Sequence, residues 1–420
     1  MILNEDFIKE CFDTKKTLIG NDEFVDFITK RFPAKIHKFK SGTKVFDWII
    51  PKKWKVSKAQ LKALDGKVVL DYDFNNLNLM TYSSPFSGIL EKEILDDHLY
   101  FKESIPNAIP WIHSYYAENW GFCLTKNQYN NLSDKKYEVD IQTEFVDDFL
   151  NIAELEIKGK TDKEVIFTSY TCHPQMASDN VSGILLLLEL YNLLKDRKDL
   201  KFTYKFFFFP ETIGSITLLS SRLIKPENIE YALIGTCTGT GEEIHYKKTH
   251  ENNHSLDLII EDVLSSYKNV KIRDYWPTGG SDERQLSSPK IRIPTGTVMR
   301  APYGEYDEYH TSLDDLSLMS IDKIKEIANI HEEIVLKYES YPKYLVAHDG
   351  CEPFLSKYNL YRTVGGTHQN YEYEAIRSWV LFLSDGKNNI KDMSKKSGFS
   401  EEKIQKTVNI LVENKIIEEI

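Results

Sequence analysis

Short apolar runs divided by polar, turn-rich stretches make up most of the chain, and their spacing changes character several times along it. Between residues 4 and 31, apolar positions recur at Phe7, Ile8, Cys11 and Phe12, then at Phe24, Val25, Phe27 and Ile28, with Gly20-Asn21-Asp22 between the two groups. That spacing predicts two short helices. From about Phe46 to Phe122 the bursts VFDWII, KVVLDY, LNLMTY and HLYF are broken by Pro51, Pro85, Pro106 and Pro110, which predicts strands and turns. After a polar stretch, NIAELEIKG alternates like a half-buried strand, and VIFTSY, YKFFFFP and YALIGTC follow as nearly continuous apolar runs separated by helical patterns. Strands buried on both faces have this texture, so residues 151–340 predict an α/β layer sandwich around a largely parallel sheet. Its clearest helix is SGILLLLELYNLLKD, with Asp179 and Asn180 as capping candidates, and residues 321–339 predict another.

The last stretch, from about Tyr371, has the length and punctuation of a winged-helix module, with Gly398 in the turn before its third helix. Residues 371–420 carry eight Lys or Arg against nine Asp or Glu. A DNA reader is normally basic, so docking or homo-oligomer formation is the better expectation for this module than DNA binding. The whole chain agrees: 53 Lys plus Arg against 64 Asp plus Glu give a net charge of −11, which repels phosphate backbones and acidic membrane surfaces. With 420 residues and 41% hydrophobic content, a large core in two or three domains is expected. No run approaches the ~18 apolar residues of a membrane span, and MILNEDFIKECFDTKK lacks the uncharged core of a signal peptide, so the expected location is cytoplasmic. Cys11, Cys123, Cys172, Cys237 and Cys351 are odd in number and never in CxxC spacing, which argues against a disulfide framework and a cysteine zinc knuckle.

Candidate chemistry gathers at strand ends. In an open parallel sheet, ligands collect beyond the carboxyl ends of the strands, where several loops converge. VIFTSY runs directly into Thr171-Cys172-His173 and on to Asp179, and YKFFFFP runs into Glu211. The later strand IPTGTV is preceded by Gly279-Gly280-Ser281-Asp282-Glu283-Arg284 and followed by Tyr309-His310-Thr311. Imidazole nitrogen with carboxylate oxygen is the donor chemistry of a hydrolytic Zn²⁺ site that keeps a position open for water. Taken singly, His173 is an ordinary hydrogen-bonded loop residue and Asp179 a helix cap. Their conjunction with Glu211 and His310 favours the metal, because a carboxylate following five aromatic or apolar residues needs a partner to be desolvated. The Gly-rich run from Gly235 to Gly241 lacks the lysine of a phosphate-binding loop, and His245, His250 and His254 lie in a hydrophilic stretch that predicts solvent exposure.

TSYTCHPQMASDNVSGILLLLEL resembles the stretch of the co-catalytic zinc aminopeptidases in which a His ligand at a strand end precedes a metal-bridging Asp. GGSDERQLSSPKIRIPTGTVMR is similar to their Ser-Asp-His segment and the strand after it, and YHTSLDDL resembles their last His ligand. The order of motifs, with a winged-helix tail, resembles an uncharacterised bacterial branch of this aminopeptidase-like family, whose fold glutaminyl cyclases share. The resemblance implies a mixed, mostly parallel sheet sandwiched by helices, with a β-rich inserted domain and a C-terminal winged-helix domain. It implies His173, Asp179 and His310 as metal ligands, Asp179 being the bridging carboxylate, Glu211 as the acid that activates water, and Asp282 in a supporting catalytic role. Two departures stand out. The family's adjacent pair of glutamates reads Pro210-Glu211-Thr212, and its next aspartate ligand is replaced by Gly235-Thr236-Cys237-Thr238-Gly239. Cys237 offers a thiolate there, although a buried strand-end cysteine more often only packs.

The expected organisation is a catalytic domain of residues 1–46 and 126–345, a β-rich insertion of residues 47–125 over the cleft, and a winged-helix-like domain of residues 346–420. The expected activity is aminopeptidase-type hydrolysis of a small peptide or other small amide, with one or two zinc ions, one of them weakly held. Arg284 and Arg300 are candidates for a substrate carboxylate, with surface ion pairs as the alternative, and Tyr309 is a candidate pocket wall. A single-zinc deacylase or cyclase, and a binding protein with a degenerate site, are the rival readings.

Overall fold

The computed structural model describes residues 3–115, 117–277, 280–361 and 371–420, so Gly279 of the Gly279-Gly280 turn lies outside the described residues. The apolar runs become the interior strands of an eight-stranded sheet: β1 (Lys35–Lys40), β2 (Phe149–Ile157), β3 (Glu164–Tyr170), β4 (Thr203–Phe209), β5 (Ile229–Ile234), β6 (Ile244–Lys247), β7 (Val270–Arg273) and β8 (Thr295–Met299). Their spatial order is β1-β2-β4-β3-β5-β8-β6-β7. The four central strands β4, β3, β5 and β8 are mutually parallel, while β2, β6 and β7 run the opposite way and the edge strand β1 pairs antiparallel with β2. The run of aromatics in β4 follows from this position, because Phe206, Phe207, Phe208 and Phe209 alternate between two covered faces and all are fully buried.

The two N-terminal helices are α1 (Glu5–Asp13), capped by the Asn4 side chain on the Phe7 N–H, and α2 (Asp22–Thr29). The leucine-rich segment is α3 (Ser182–Leu194), buried on nearly every face, as a helix without a polar stripe must be. Its close approach to the sheet depends on Gly183, where a Cβ would come within 2.1 Å of the Gly235 carbonyl oxygen at the end of β5. That contact seats the N-terminus of α3, and the loop before it, against the carboxyl end of the parallel strands. A further helix, α4 (Ile213–Ser220), follows directly on β4.

A smaller, four-stranded antiparallel sheet is built from Val68–Asp71, Lys53–Ala63, Lys136–Val146 and Phe86–Glu91, in that spatial order. Its long strand Lys136–Val146 lies beyond residue 125 and was not anticipated as a strand: only Tyr137, Val139 and Ile141 face the core, and polar residues between them mask the pattern.

The chain divides into two compact units, residues 1–250 with 268–332, and residues 251–267 with 333–420. In the second, helices Tyr371–Leu383, Ile390–Ser397 and Glu401–Glu413 pack around Ile376, Val380, Ile404 and Val408, with a two-stranded ribbon of Tyr344–Val346 and Ile417–Glu419. Gly398, at φ +78°, ends the middle helix in the left-handed conformation expected of that turn. Among the described residues, no helix is long and apolar enough to cross a membrane.

Phe207 tests the interior position of β4. Phe207→Ala is expected to lower the free energy of unfolding by about 3–5 kcal/mol, measured by urea denaturation, whereas an unchanged midpoint would contradict the packing described.

Candidate metal centre

Four chain segments bring polar side chains to the carboxyl end of the parallel strands. His173 stands three residues past β3, Asp179 lies in the tight turn that precedes α3, Glu211 follows β4 after Pro210, and His310 arrives on the loop after β8. Asp179 is fully buried and His173 nearly so. The His310 Nε2 lies 3.0 Å from Asp179 Oδ2, and the His173 Nε2 lies 3.7 Å from the same oxygen. One donor atom from each of the three residues falls within 4.8 Å of the others. Ligand atoms on a tetrahedral zinc stand about 3.3–3.6 Å apart, given bonds of about 2.0–2.2 Å. Two imidazole nitrogens and one carboxylate oxygen therefore fit such an ion and leave its fourth position open.

The protonation states suit that chemistry. Burial, resisted by the Asp179 charge, pushes the His173 imidazole down to about 3, so it is in the neutral form that ligates metals. Burial alone would raise the Asp179 carboxyl, but His173, His310 and the Tyr170 hydroxyl outweigh it and hold it at about 2. Neither Asp179 nor Asn180 caps α3: Asp179 serves the histidines, and the Asn180 amide donates to Ser169 Oγ, Tyr170 O and Gly235 O at 2.9, 3.2 and 3.3 Å.

Glu211 Oε2 lies 4.0 Å from His173 Nε2, and its Oε1 accepts a 2.5 Å hydrogen bond from the Ser281 hydroxyl. Burial and the neighbouring Asp282 charge push its carboxyl well above the usual range, against the pull of Ser281. Asp282, itself fully buried and raised by burial, accepts from the Thr212 N–H at 2.8 Å and the Ser215 hydroxyl at 2.6 Å. Those bonds fix a strained point of the chain, because Thr212 is β-branched yet has φ +64°. Gln175, Cys237 and His310 also have positive φ, so strained backbone collects in the loops that surround the centre.

Residues 48–111 supply the outer wall. Trp111 lies 4.3 Å from the His173 ring and 4.7 Å from the His310 ring, centroid to centroid, and its backbone N–H donates to the His310 carbonyl at 2.8 Å. Trp48, Ile49 and Pro51 close another side of a cavity of about 140 Å³ that reaches His173, Glu211 and His310.

Residues 5–341 match the family described as "Domain of unknown function (DUF4910)", and residues 343–419 match a winged helix-turn-helix family. The chain belongs to the DUF4910 family. A Clostridium acetobutylicum relative named "Putative polysaccharide biosynthesis protein with aminopeptidase-like domain" is 39% identical over 96% of this chain and 93% of its own. A crystal structure of a "putative peptidase" from the same species superposes with a TM-score of 0.77 at 37% identity, over 99% of this DUF4910 chain and 95% of the other. The zinc aminopeptidase BSAP from Bacillus subtilis shares the fold, with a TM-score of 0.58 at 11% identity over 79% of this chain and 93% of its own. The DUF4910 protein thus has a zinc aminopeptidase fold followed by a winged helix.

Other expected residues stand apart from the cavity. Arg300 is a correction: its buried guanidinium pairs with Glu326 and donates to the Gly241 carbonyl at 3.3 Å, so it is not among the residues lining the cavity. Arg284 is exposed and donates to the Ser281 carbonyl at 3.2 Å, near Glu211 but outside the lining. Tyr309 stacks on the His310 ring at 3.9 Å and supports it from behind. Cys237 packs with Met299 and Ala301. His245 is buried rather than solvent-facing, held by Arg273 Nε at 3.1 Å.

Two supports were not anticipated. Asp314 accepts the Ser178 N–H at 2.6 Å and the Asp179 N–H at 3.0 Å with its two oxygens, and Tyr306 donates to it at 3.0 Å. Tyr170, the last residue of β3, donates to Asp179 Oδ1 and contacts Thr236 Oγ1 at 2.7 Å. Because Asp314 fixes the backbone that carries Asp179, Asp314→Ala is expected to weaken the binding of added zinc about 10–100-fold, read by competition with a chromophoric chelator. Unchanged affinity would show that the Asp179 loop holds its shape without it.

Proposed function

We propose that this protein is a zinc-dependent hydrolase that cleaves the amide bond of a small peptide or other small amide. The observation that carries the reading is the convergence of His173 Nε2, His310 Nε2 and Asp179 Oδ2, with the Glu211 carboxylate 4.0 Å from His173. His173, Asp179 and His310 would hold a zinc ion, which would supply Lewis-acid chemistry for an amide carbonyl and for a bound water. Glu211 would take the proton of the attacking water and return it to the leaving nitrogen. Ser281 orients one Glu211 oxygen, leaving the other to face the cavity. Asp282 holds the Thr212 turn and so fixes where Glu211 points.

Support for one ion rather than two comes from Tyr170. Its hydroxyl proton engages Asp179 Oδ1, the oxygen that a bridging carboxylate would offer to a second metal, and Thr236 stands on the other side of that hydroxyl. Cys237, the remaining candidate donor after β5, is taken up in apolar packing.

Glu211→Gln is expected to cut turnover by about 10²–10⁴ while leaving zinc content intact, since the amide keeps the shape but cannot accept the proton. His173→Ala with His310→Ala should remove the zinc. Elemental analysis of the variants, with aminoacyl anilides and N-acyl amino sugars as substrates, checks both. Loss of zinc in Glu211→Gln would make Glu211 a ligand, and unchanged turnover would remove it from the mechanism.

A further inference from the structure

Beside the turn that carries Ser281 lies a buried ion pair that the mechanism above does not use. Lys247, the last residue of β6, and Glu283 are both buried, and the Lys247 Nζ stands 2.7 Å from Glu283 Oε1. The Tyr275 ring faces the same ammonium, 5.3 Å from its centroid. Taking two charges out of water is costly, and apolar side chains of similar volume are often at least as stable as such a pair. Stability alone therefore gives little reason for it.

The other Glu283 oxygen supplies a reason. Its Oε2 accepts the Ser281 backbone N–H at 2.9 Å, while Arg284 Nε donates to the Ser281 carbonyl at 3.2 Å. Both backbone groups of Ser281 are thereby held, and its hydroxyl donates to Glu211 Oε1 at 2.5 Å. Gly280 leaves the room for this, since a Cβ there would fall 2.0 Å from Glu283 Oε1 and 2.4 Å from Lys247 Nζ. The same turn also carries Asp282, which accepts the N–H of Thr212, the residue after Glu211. Two consecutive carboxylates thus reach the Glu211 loop by different routes, one through the backbone of Thr212 and one through Ser281.

We infer that Glu283, with Lys247 as its counter-ion, is a positioning residue for the reaction, which rests on the amide-hydrolase reading above for the role of Glu211. Glu283 holds Ser281, and the Ser281 hydroxyl in turn fixes the direction in which the Glu211 carboxylate meets the metal cavity it lines. A general base must stand within hydrogen-bond reach of the proton it takes, and a displacement of about 1 Å in such a group can cost about 10²-fold in rate. A pair that merely stapled β6 to the turn would behave differently, because apolar side chains could replace it without consequence for Glu211.

Two double variants of the full chain separate these cases. Lys247→Met with Glu283→Leu is apolar and removes the acceptor from the Ser281 N–H. Lys247→Met with Glu283→Gln is equally uncharged but keeps an amide oxygen for that N–H. Crystal structures, thermal melting, bound zinc after loading, and turnover of aminoacyl anilides and N-acyl amino sugars are compared with wild type. Both variants should melt and bind zinc as wild type does. The apolar variant should lose the hydrogen bond between Ser281 Oγ and Glu211 Oε1, with kcat lower by about tenfold or more, the size of one lost hydrogen bond to a charged group, and KM within about twofold of wild type. The amide variant should keep the bond and recover most of kcat. If the apolar variant does not fold, Glu283→Asp takes its place: it preserves the charge facing Lys247, is one methylene short of the Ser281 N–H, and should show the same loss. Persistence of the Ser281–Glu211 bond in the variant that lacks the acceptor would overturn the inference, as would equal loss of kcat in the apolar and amide variants. Wild type that hydrolyses none of these amides, with the Ser281–Glu211 bond broken only where the acceptor is missing, would remove the hydrolase reading and leave Glu283 as the residue that sets Glu211.

Discussion

Burying the Asp179 carboxylate at the end of an almost wholly apolar sheet would cost several kcal/mol if it had no partners, and much of the surrounding structure meets that requirement. Two imidazoles face one oxygen, the Tyr170 hydroxyl engages the other, and Asp314 fixes the backbone on which the carboxylate sits. The constraint propagates outward. Asp314 is held by Tyr306, His310 is braced by Tyr309 and by the Trp111 bond to its carbonyl, and Gly183 lets α3 start close enough to β5 for the Asp179 turn to exist. The two imidazoles, the buried carboxylate and the start of α3 therefore occur together at the same end of the sheet.

A parallel sheet supplies the directionality. Strands β3, β4 and β5 run the same way, so their next residues leave together, and a side chain three positions past one strand meets a side chain two positions past its neighbour. The insertion then covers this rim and contacts the His310 loop through the pairing of Pro110 with Thr311 and the bonds between Ile109 and Ser312. Trp48, Ile49, Pro51 and Trp111 line the cavity that reaches His173, Glu211 and His310, so this wall is largely aromatic and apolar.

What the sequence made legible follows the same physics. VIFTSY and YKFFFFP are readable as buried parallel strands because both faces are covered, and the polar residues immediately after them, His173 and Glu211, stand out against that background. His310 was readable from its motif context. Tyr170 was hidden because a tyrosine ending an apolar run looks like core, and only the fold brings its hydroxyl to Asp179. Asp314 was hidden because its partners are backbone N–H groups 135 residues away or more, which carry no side-chain signature. The strand Lys136–Val146 was missed for the converse reason, its outward face being as polar as a loop. Arg300 looked available for substrate because sequence does not show that Glu326, on a later helix, reaches it first.

The account turns on a single zinc ion held by His173, Asp179 and His310. An anomalous difference map at the zinc absorption edge, from crystals of protein purified without chelators, tests this most directly. One peak within bonding distance of His173 Nε2, His310 Nε2 and Asp179 Oδ2 is the predicted result, with the Tyr170 hydroxyl still on Asp179 Oδ1. Two full peaks at the ~3.5–4 Å separation of co-catalytic pairs, or no peak at these residues, would contradict it.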